Sequence, residues 1–145
     1  MTGTRKGENN VINILLAEDD EGDIFLIKKT ISNAYFESEV HVVHNGEEAI
    51  EFLQETDRPR IDFIISDLNM PKMSGHEFLD HVRKDEILRK IPIAVLTNSH
   101  DIEDYSQTYQ LDGVICQTKP LDQRKINEII KAIETFWAKS ANTPK

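Results

Sequence analysis

Five short apolar runs, each followed by an amphipathic stretch, constrain this chain more than any other feature. The runs are VINILLA (11–17), EVHVVH (39–44), IDFIIS (61–66), IPIAVL (91–96) and GVICQ (113–117). The first, third and fourth are nearly continuous in apolar residues, the pattern of parallel strands covered on both faces. Between the runs, Ile24, Ile27 and Ile31 share one helical face, and Ala49, Ile50 and Leu53 share another after the turn signal Asn45-Gly46. Phe78, Leu79 and Val82 mark a third helix. Ile102, Tyr105 and Tyr109 mark a less regular fourth. Ile126, Ile129, Ile130, Ile133 and Trp137 form the last stripe. Strict alternation of this kind predicts an α/β fold, with a parallel five-stranded sheet covered by helices on both faces.

The 145 residues suit one domain with a proper core. Residues 11–139 are predicted to form it. Residues 1–10 and 140–145 are expected to be flexible tails, which leaves no room for an output domain. A net charge of −9 argues against general affinity for nucleic acid or anionic lipid. The one cysteine, Cys116, cannot form an internal disulfide and reads as an inert buried thiol. The polar start MTGTRKGENN has no apolar signal segment after it, and no run approaches the roughly 20 residues of a membrane span. A cytoplasmic protein is the expectation.

The chemistry sits where the runs end. The first ends in Glu18-Asp19-Asp20, the third in Asp67, the fourth in Thr97, and the fifth leads into Lys119-Pro120. Open α/β sheets build their sites at the carboxyl ends of strands, at the switch point. With strand order 2-1-3-4-5, the first and third strands are neighbours, and Glu18, Asp19 and Asp67 meet between Thr97 and Lys119. Carboxylates packed together repel, and some are pushed to protonate. A hard divalent cation relieves this, and oxygen ligands with several waters suit Mg²⁺. Such a pocket is equipped for phosphoryl transfer. Asp67 can attack, while the cation and Lys119 offset phosphoryl charge and the Thr97 hydroxyl donates to a phosphate oxygen.

The motifs LLAEDD, SDLNMPKMSG, IPIAVLTNS and QTKP stand in this order, each at a strand end. In this set the chain resembles the receiver domain of two-component response regulators, over about residues 11–138. The resemblance implies a flavodoxin-like (βα)5 three-layer sandwich in strand order 2-1-3-4-5. It implies Asp67 as phosphoacceptor for a sensor histidine kinase, in a phosphorelay or a phosphorylation-dependent protein contact. It further implies Asp19 as a direct Mg²⁺ ligand, Glu18 acting through water, and the backbone carbonyl of Asn69 as another ligand. Thr97 becomes the switch hydroxyl and Lys119 the phosphate-pairing lysine, with a cis bond before Pro120. Self-phosphorylation from small phosphodonors and self-dephosphorylation are the only enzyme-like activities implied. The first helix and the Pro120 loop are the implied kinase contacts.

The stretch IPIAVLTNSHDIEDYSQTYQLD and the ending IETFW resemble small stand-alone receivers that partner phytochrome-like histidine kinases. Some of these form homodimers through the fourth and fifth helices and fifth strand, which makes Tyr105, Tyr109, Phe136 and Trp137 candidate dimer contacts. The chain departs from the family pattern at Cys116, where an aromatic residue usually stands, and at Asn98, which is larger than usual. Asn69 and Ser99 occupy positions that tune the lifetime of the phosphorylated state.

Two other readings compete. A haloacid-dehalogenase-like phosphohydrolase also uses an aspartyl nucleophile, but needs a second acid two residues on. Asn69 stands there. A pseudo-receiver scaffold would lack part of the site, whereas Glu18, Asp19, Asp67, Thr97 and Lys119 are all present.

Overall fold

A computed structural model of the chain describes residues 11–70, 75–97 and 114–142. The predicted tail 1–10, the candidate residues Asn98, Ser99, Tyr105 and Tyr109, and the fourth helical stretch lie outside the described residues. Five strands form one parallel sheet: β1 (Ile12–Ala17), β2 (Ser38–Val43), β3 (Phe63–Asp67), β4 (Ile93–Thr97) and β5 (Val114–Thr118), in order 2-1-3-4-5. The helices are α1 (Glu21–Ser32), α2 (Gly46–Gln54), α3 (Gly75–Lys84) and α4 (Gln123–Asn142), with a 3₁₀ turn at Leu88–Lys90. The label α4 belongs to the last helical stretch read from the sequence.

Side chains alternate across the pleat, so each strand feeds two cores. Leu15, Ala17, Ile64, Ile93 and Val95 pack with Ala49, Ile50 and Leu53 of α2 and Phe78, Leu79 and Val82 of α3. Ile12, Ile14, Leu16, Phe63, Ile65, Ala94 and Leu96 pack with Ile24, Ile27 and Ile31 of α1 and Ile126, Ile129, Ile130 and Ile133 of α4. The result is the expected three-layer sandwich. In β2, an edge strand, only Val43 is fully buried, which explains its mixed composition.

Element ends differ from the sequence reading by two residues or more in three places, one of them the start of β4, at Ile93 rather than Ile91. β3 begins at Phe63 rather than Ile61. Asp62 instead bonds its neighbour, donating its N–H to the Asn13 carbonyl at 2.8 Å and accepting the Asn13 N–H at 2.9 Å. α4 continues to Asn142, into the stretch expected to be a tail. Ala138, Lys139 and Ala141 are good helix formers, and the first breaker after them is Pro144. No helix among the described residues is long and apolar enough to cross a membrane.

Candidate functional site

The register delivers the acids together. Ala17 pairs with Ser66, so Glu18 and Asp67 emerge side by side from β1 and β3. Thr97 pairs with Thr118, so Lys119 follows at the next step, its N–H donating to the Thr97 carbonyl at 2.8 Å. Pleat alternation puts Glu18, Asp67 and Lys119 on the α1/α4 side of the sheet. That side chain direction brings the lysine to the acids. Its Nζ lies 2.9 Å from Glu18 Oε1, 3.1 Å from Asp67 Oδ2 and 2.9 Å from Asp23 Oδ2. The Lys119–Pro120 bond is cis.

Backbone groups hold the carboxylates from behind. Asp67 Oδ1 accepts the Asn69 N–H at 3.0 Å, and Glu18 Oε2 accepts the Asp20 N–H at 3.0 Å. Asp20 is the N-cap of α1, accepting the Asp23 N–H at 2.8 Å. That cap fixes the first turn of α1 and hence the aim of Asp23. Asp23 is the site residue the motifs do not disclose. Its signal is the spacing from Asp19, one helical turn along, but an acid in a first helical turn is ordinary on dipole grounds. Cys116 is half-buried against the α2/α3 core. Phe136 and Trp137 pack against the α1/α4 core, Phe136 with its ring centroid 6.4 Å from that of Phe63.

Glu18 is fully buried, and Asp67 is 2% exposed. Burial, reinforced by the charge of Asp67, pushes the Glu18 carboxyl up to about 7, although the Asp20 N–H and Lys119 pull the other way. Burial works against the charge of Lys119, yet its bonds to Asp23 and Glu18 and the charge of Asp67 hold it well above the usual lysine range. The two directions agree: the acids keep the ammonium charged, and one ammonium is too little for all of them.

Glu18, Asp19 and Asp67 each offer a carboxylate oxygen within 4.8 Å of the others. Among the described residues, the buried Thr97 Oγ1 has no hydrogen-bond partner, and the buried Glu18 Oε1 has only its ion pair with Lys119. Lys119 lies close to Glu18 Oε1 but donates its hydrogen bond to Oε2 instead. Buried polar atoms without partners are costly. A cluster of hard oxygens from three carboxylates, sharing one ammonium, fits a divalent cation.

The raised Glu18 value has a measurable consequence in chelator. Between about 4.5 and 7, folded Glu18 holds a proton that the unfolded chain has released. The folded state then binds more protons, so stability falls as pH rises through that window. Glu18→Gln is expected to remove this loss. Urea unfolding should show the variant gaining on the parent between pH ~5 and ~8, by roughly 2–3 kcal/mol at the upper end. An equal difference at both pH values would show that Glu18 is ionised throughout.

A doubly wound sheet in this order, with clustered acids, a lysine and a hydroxyl at its switch point, defines the class of phosphoryl-responsive α/β signalling domains. The chain belongs to the response regulator receiver domain family, whose model matches residues 14–131. Response regulator Rcp1 of Synechocystis sp. is 31% identical over 135 residues, spanning 90% of this chain and 92% of that protein. The solved Mn²⁺-bound form of Rcp1 superposes with a TM-score of 0.74 at 30% identity, covering 92% of this chain and 99% of that one. The phosphorylated cyanobacterial phytochrome response regulator RcpA gives 0.71 at 34% identity, with the same coverage. The resemblance to phytochrome response regulators therefore holds, and the phosphohydrolase reading has no support.

Proposed function

We propose that Asp67 is the phosphoacceptor, taking a phosphoryl group from a phosphohistidine of a sensor histidine kinase. The observation that carries this is the pairing of Asp67 Oδ2 with Lys119 Nζ at 3.1 Å, beside two further carboxylates, at the end of a buried strand. An Asp67 oxygen attacks phosphorus, and the phosphorus–nitrogen bond breaks. The electron pair returns to the imidazole, which takes a proton from solvent. Asp67 becomes an acyl phosphate, which water later hydrolyses.

Lys119 is already aimed at Asp67 and pairs with the phosphoryl oxygens. The buried Thr97 hydroxyl, lacking a partner, turns to donate to one of them. Asp19, Asp67 and the Asn69 carbonyl, with Glu18 through water, would hold a Mg²⁺ ion, which would supply the remaining positive charge. The metal-bound and phosphorylated states of Rcp1 and RcpA support this reading. Phosphorylation adds about −1.5 to −2 charge. A few kcal/mol of differential interaction suffices to shift a two-state equilibrium and alter the surface a partner reads.

For the kinase contact we favour α1 and the Pro120 loop. Phe25 of α1 is 66% exposed, with the Lys29 ammonium 5.9 Å from its ring centroid. RcpA is a phytochrome response regulator, which supports a phytochrome-like kinase as donor. A homodimer through the fourth helical stretch of the sequence, the last helix (α4) and β5 stays part of the proposal, and of its candidate contacts Phe136 and Trp137 are part-exposed.

The test is transfer from purified histidine kinases with ATP and Mg²⁺. One phosphoryl group should appear on the chain, in the peptide containing Asp67, and sedimentation before and after reports any dimer. A stable phosphoryl group on serine or histidine would overturn the assignment.

A further inference from the structure

Among the described residues, one ammonium is spent on the backbone rather than on a carboxylate. Lys125, in the first turn of α4, donates through Nζ to the Thr118 carbonyl at 2.8 Å, the Pro120 carbonyl at 2.9 Å and the Thr118 hydroxyl at 3.1 Å. An ammonium has three donors, and all three are engaged. The two carbonyls flank Lys119 on either side. The N–H of Lys119 donates to the Thr97 carbonyl at 2.8 Å. The backbone that presents Lys119 is therefore fastened to β4 on one side and to α4 on the other. Lys125 is itself fixed, its N–H donating to Asp122 Oδ1 at 2.9 Å at the start of the helix.

We propose that Lys125 is a positioning residue for phosphoryl transfer: it clamps the Thr118–Pro120 backbone so that the Lys119 ammonium reaches Asp67. The inference rests on Asp67 as the phosphoacceptor. It gives Lys125 a task that an exposed lysine on a helix face would not have. The clamp ties the loop to α4.

Two substitutions and their combination test it. Lys125→Met keeps the length of the aliphatic stem and removes every donor. With acetyl phosphate and Mg²⁺, followed by intact mass, its labelling rate should fall about tenfold, as misplacement of a charge-offsetting group requires. A residue that merely anchors the helix would lower the melting temperature and leave the rate alone. The double-mutant cycle separates the two roles. In the Lys119→Met background, Lys125→Met should cause no further loss, because there is no ammonium left to aim. Wild-type labelling by Lys125→Met, whatever its melting temperature, overturns the proposal, and so does a second full loss in the Lys119→Met background. If Lys125→Met fails to fold, Lys125→Gln, which keeps one donor group without the charge, is read by the same criteria. An unlabelled wild-type protein overturns the phosphoacceptor reading and this inference together. A labelled wild type with an unaffected Lys125→Met overturns this inference alone.

Discussion

Replacing Asp67 with asparagine is expected to abolish labelling by acetyl phosphate, by about 10³-fold or more, while raising the melting temperature in metal-free buffer. The two effects share a cause. A carboxamide has neither the charge nor the nucleophilicity to open a phosphorus–oxygen or phosphorus–nitrogen bond. It does keep an oxygen to accept the Asn69 N–H, which Asp67 Oδ1 accepts at 3.0 Å. Lys119 loses one partner but retains Glu18 and Asp23, each at 2.9 Å. What disappears is one of three carboxylates (Glu18, Asp23 and Asp67) paired with a single ammonium, with Asp19 close to Glu18 and Asp67. Relief of like-charge repulsion should contribute about 1 kcal/mol, a rise of roughly 3–5 °C for a chain of this size. Intact mass and thermal melts in chelator check both halves. Stoichiometric labelling of Asp67→Asn would move the acceptor to another residue. Lost labelling with a lowered melting temperature would mean that Asp67 stabilises the fold and that the crowding is already relieved.

The sheet was legible because buried parallel strands have little freedom of composition. β1, β3 and β4 sit between two helical layers, and nearly every position before their ends is apolar, Asn13 and Ser66 being the exceptions. Their ends were legible for the opposite reason: Asp67 is polar opposite the core residue Leu96, and Glu18 directly follows an apolar run. β3 was read two residues early because Ile61 is buried like a strand residue, 3% exposed, although Asp62 is spent on bonding Asn13. Asp23 and Lys125 escaped for a different reason. Asp23 lies in a first helical turn, where an acid is ordinary on dipole grounds, and Lys125 lies in another, where the dipole disfavours a cation but one lysine among many polar residues draws no notice. Their contacts depend on how α1 and α4 are set against the sheet, and no local pattern records that. Asp23 meets Lys119 only because the Asp20 cap orients its turn. Lys125 meets Thr118 and Pro120 only because α4 starts directly beneath their loop.

Thr97 shows a further division within the site. Alternation along β4 places it with Ile93 and Val95 toward α2 and α3, the side where Cys116 also packs. Glu18, Asp23, Asp67 and Lys119 gather toward α1 and α4. The pocket thus straddles the sheet edge, with charge on one side and a buried hydroxyl lacking a partner on the other. A phosphoryl group on Asp67 would sit where both sides can reach it. That geometry lets one modification pull on two layers of the sandwich.

Chelation is expected to stop phosphorylation without unfolding the domain. The argument is one of charge. Glu18, Asp19, Asp23 and Asp67 already outnumber the Lys119 ammonium, and transfer adds about −1.5 to −2 more at Asp67. Lys119 cannot offset that sum, so in EDTA the labelling rate should drop at least ~100-fold. The fold should persist, because its two cores draw on Ile, Leu, Val and Phe and need no ion. Far-UV circular dichroism should be unchanged. Restoring Mg²⁺ should raise the melting temperature, since a ligand that binds only the folded state adds about 2.7 kcal/mol at a hundredfold excess over its dissociation constant. That rise should be larger at pH ~8 than at pH ~6. Burial pushes the metal-free Glu18 carboxyl up to about 7, and a protonated carboxyl competes with the ion. Glu18→Gln should flatten this pH dependence, which ties it to one side chain. An unchanged labelling rate in EDTA would remove the cation from the reaction. A Mg²⁺-induced rise equal at both pH values would place the ion away from Glu18.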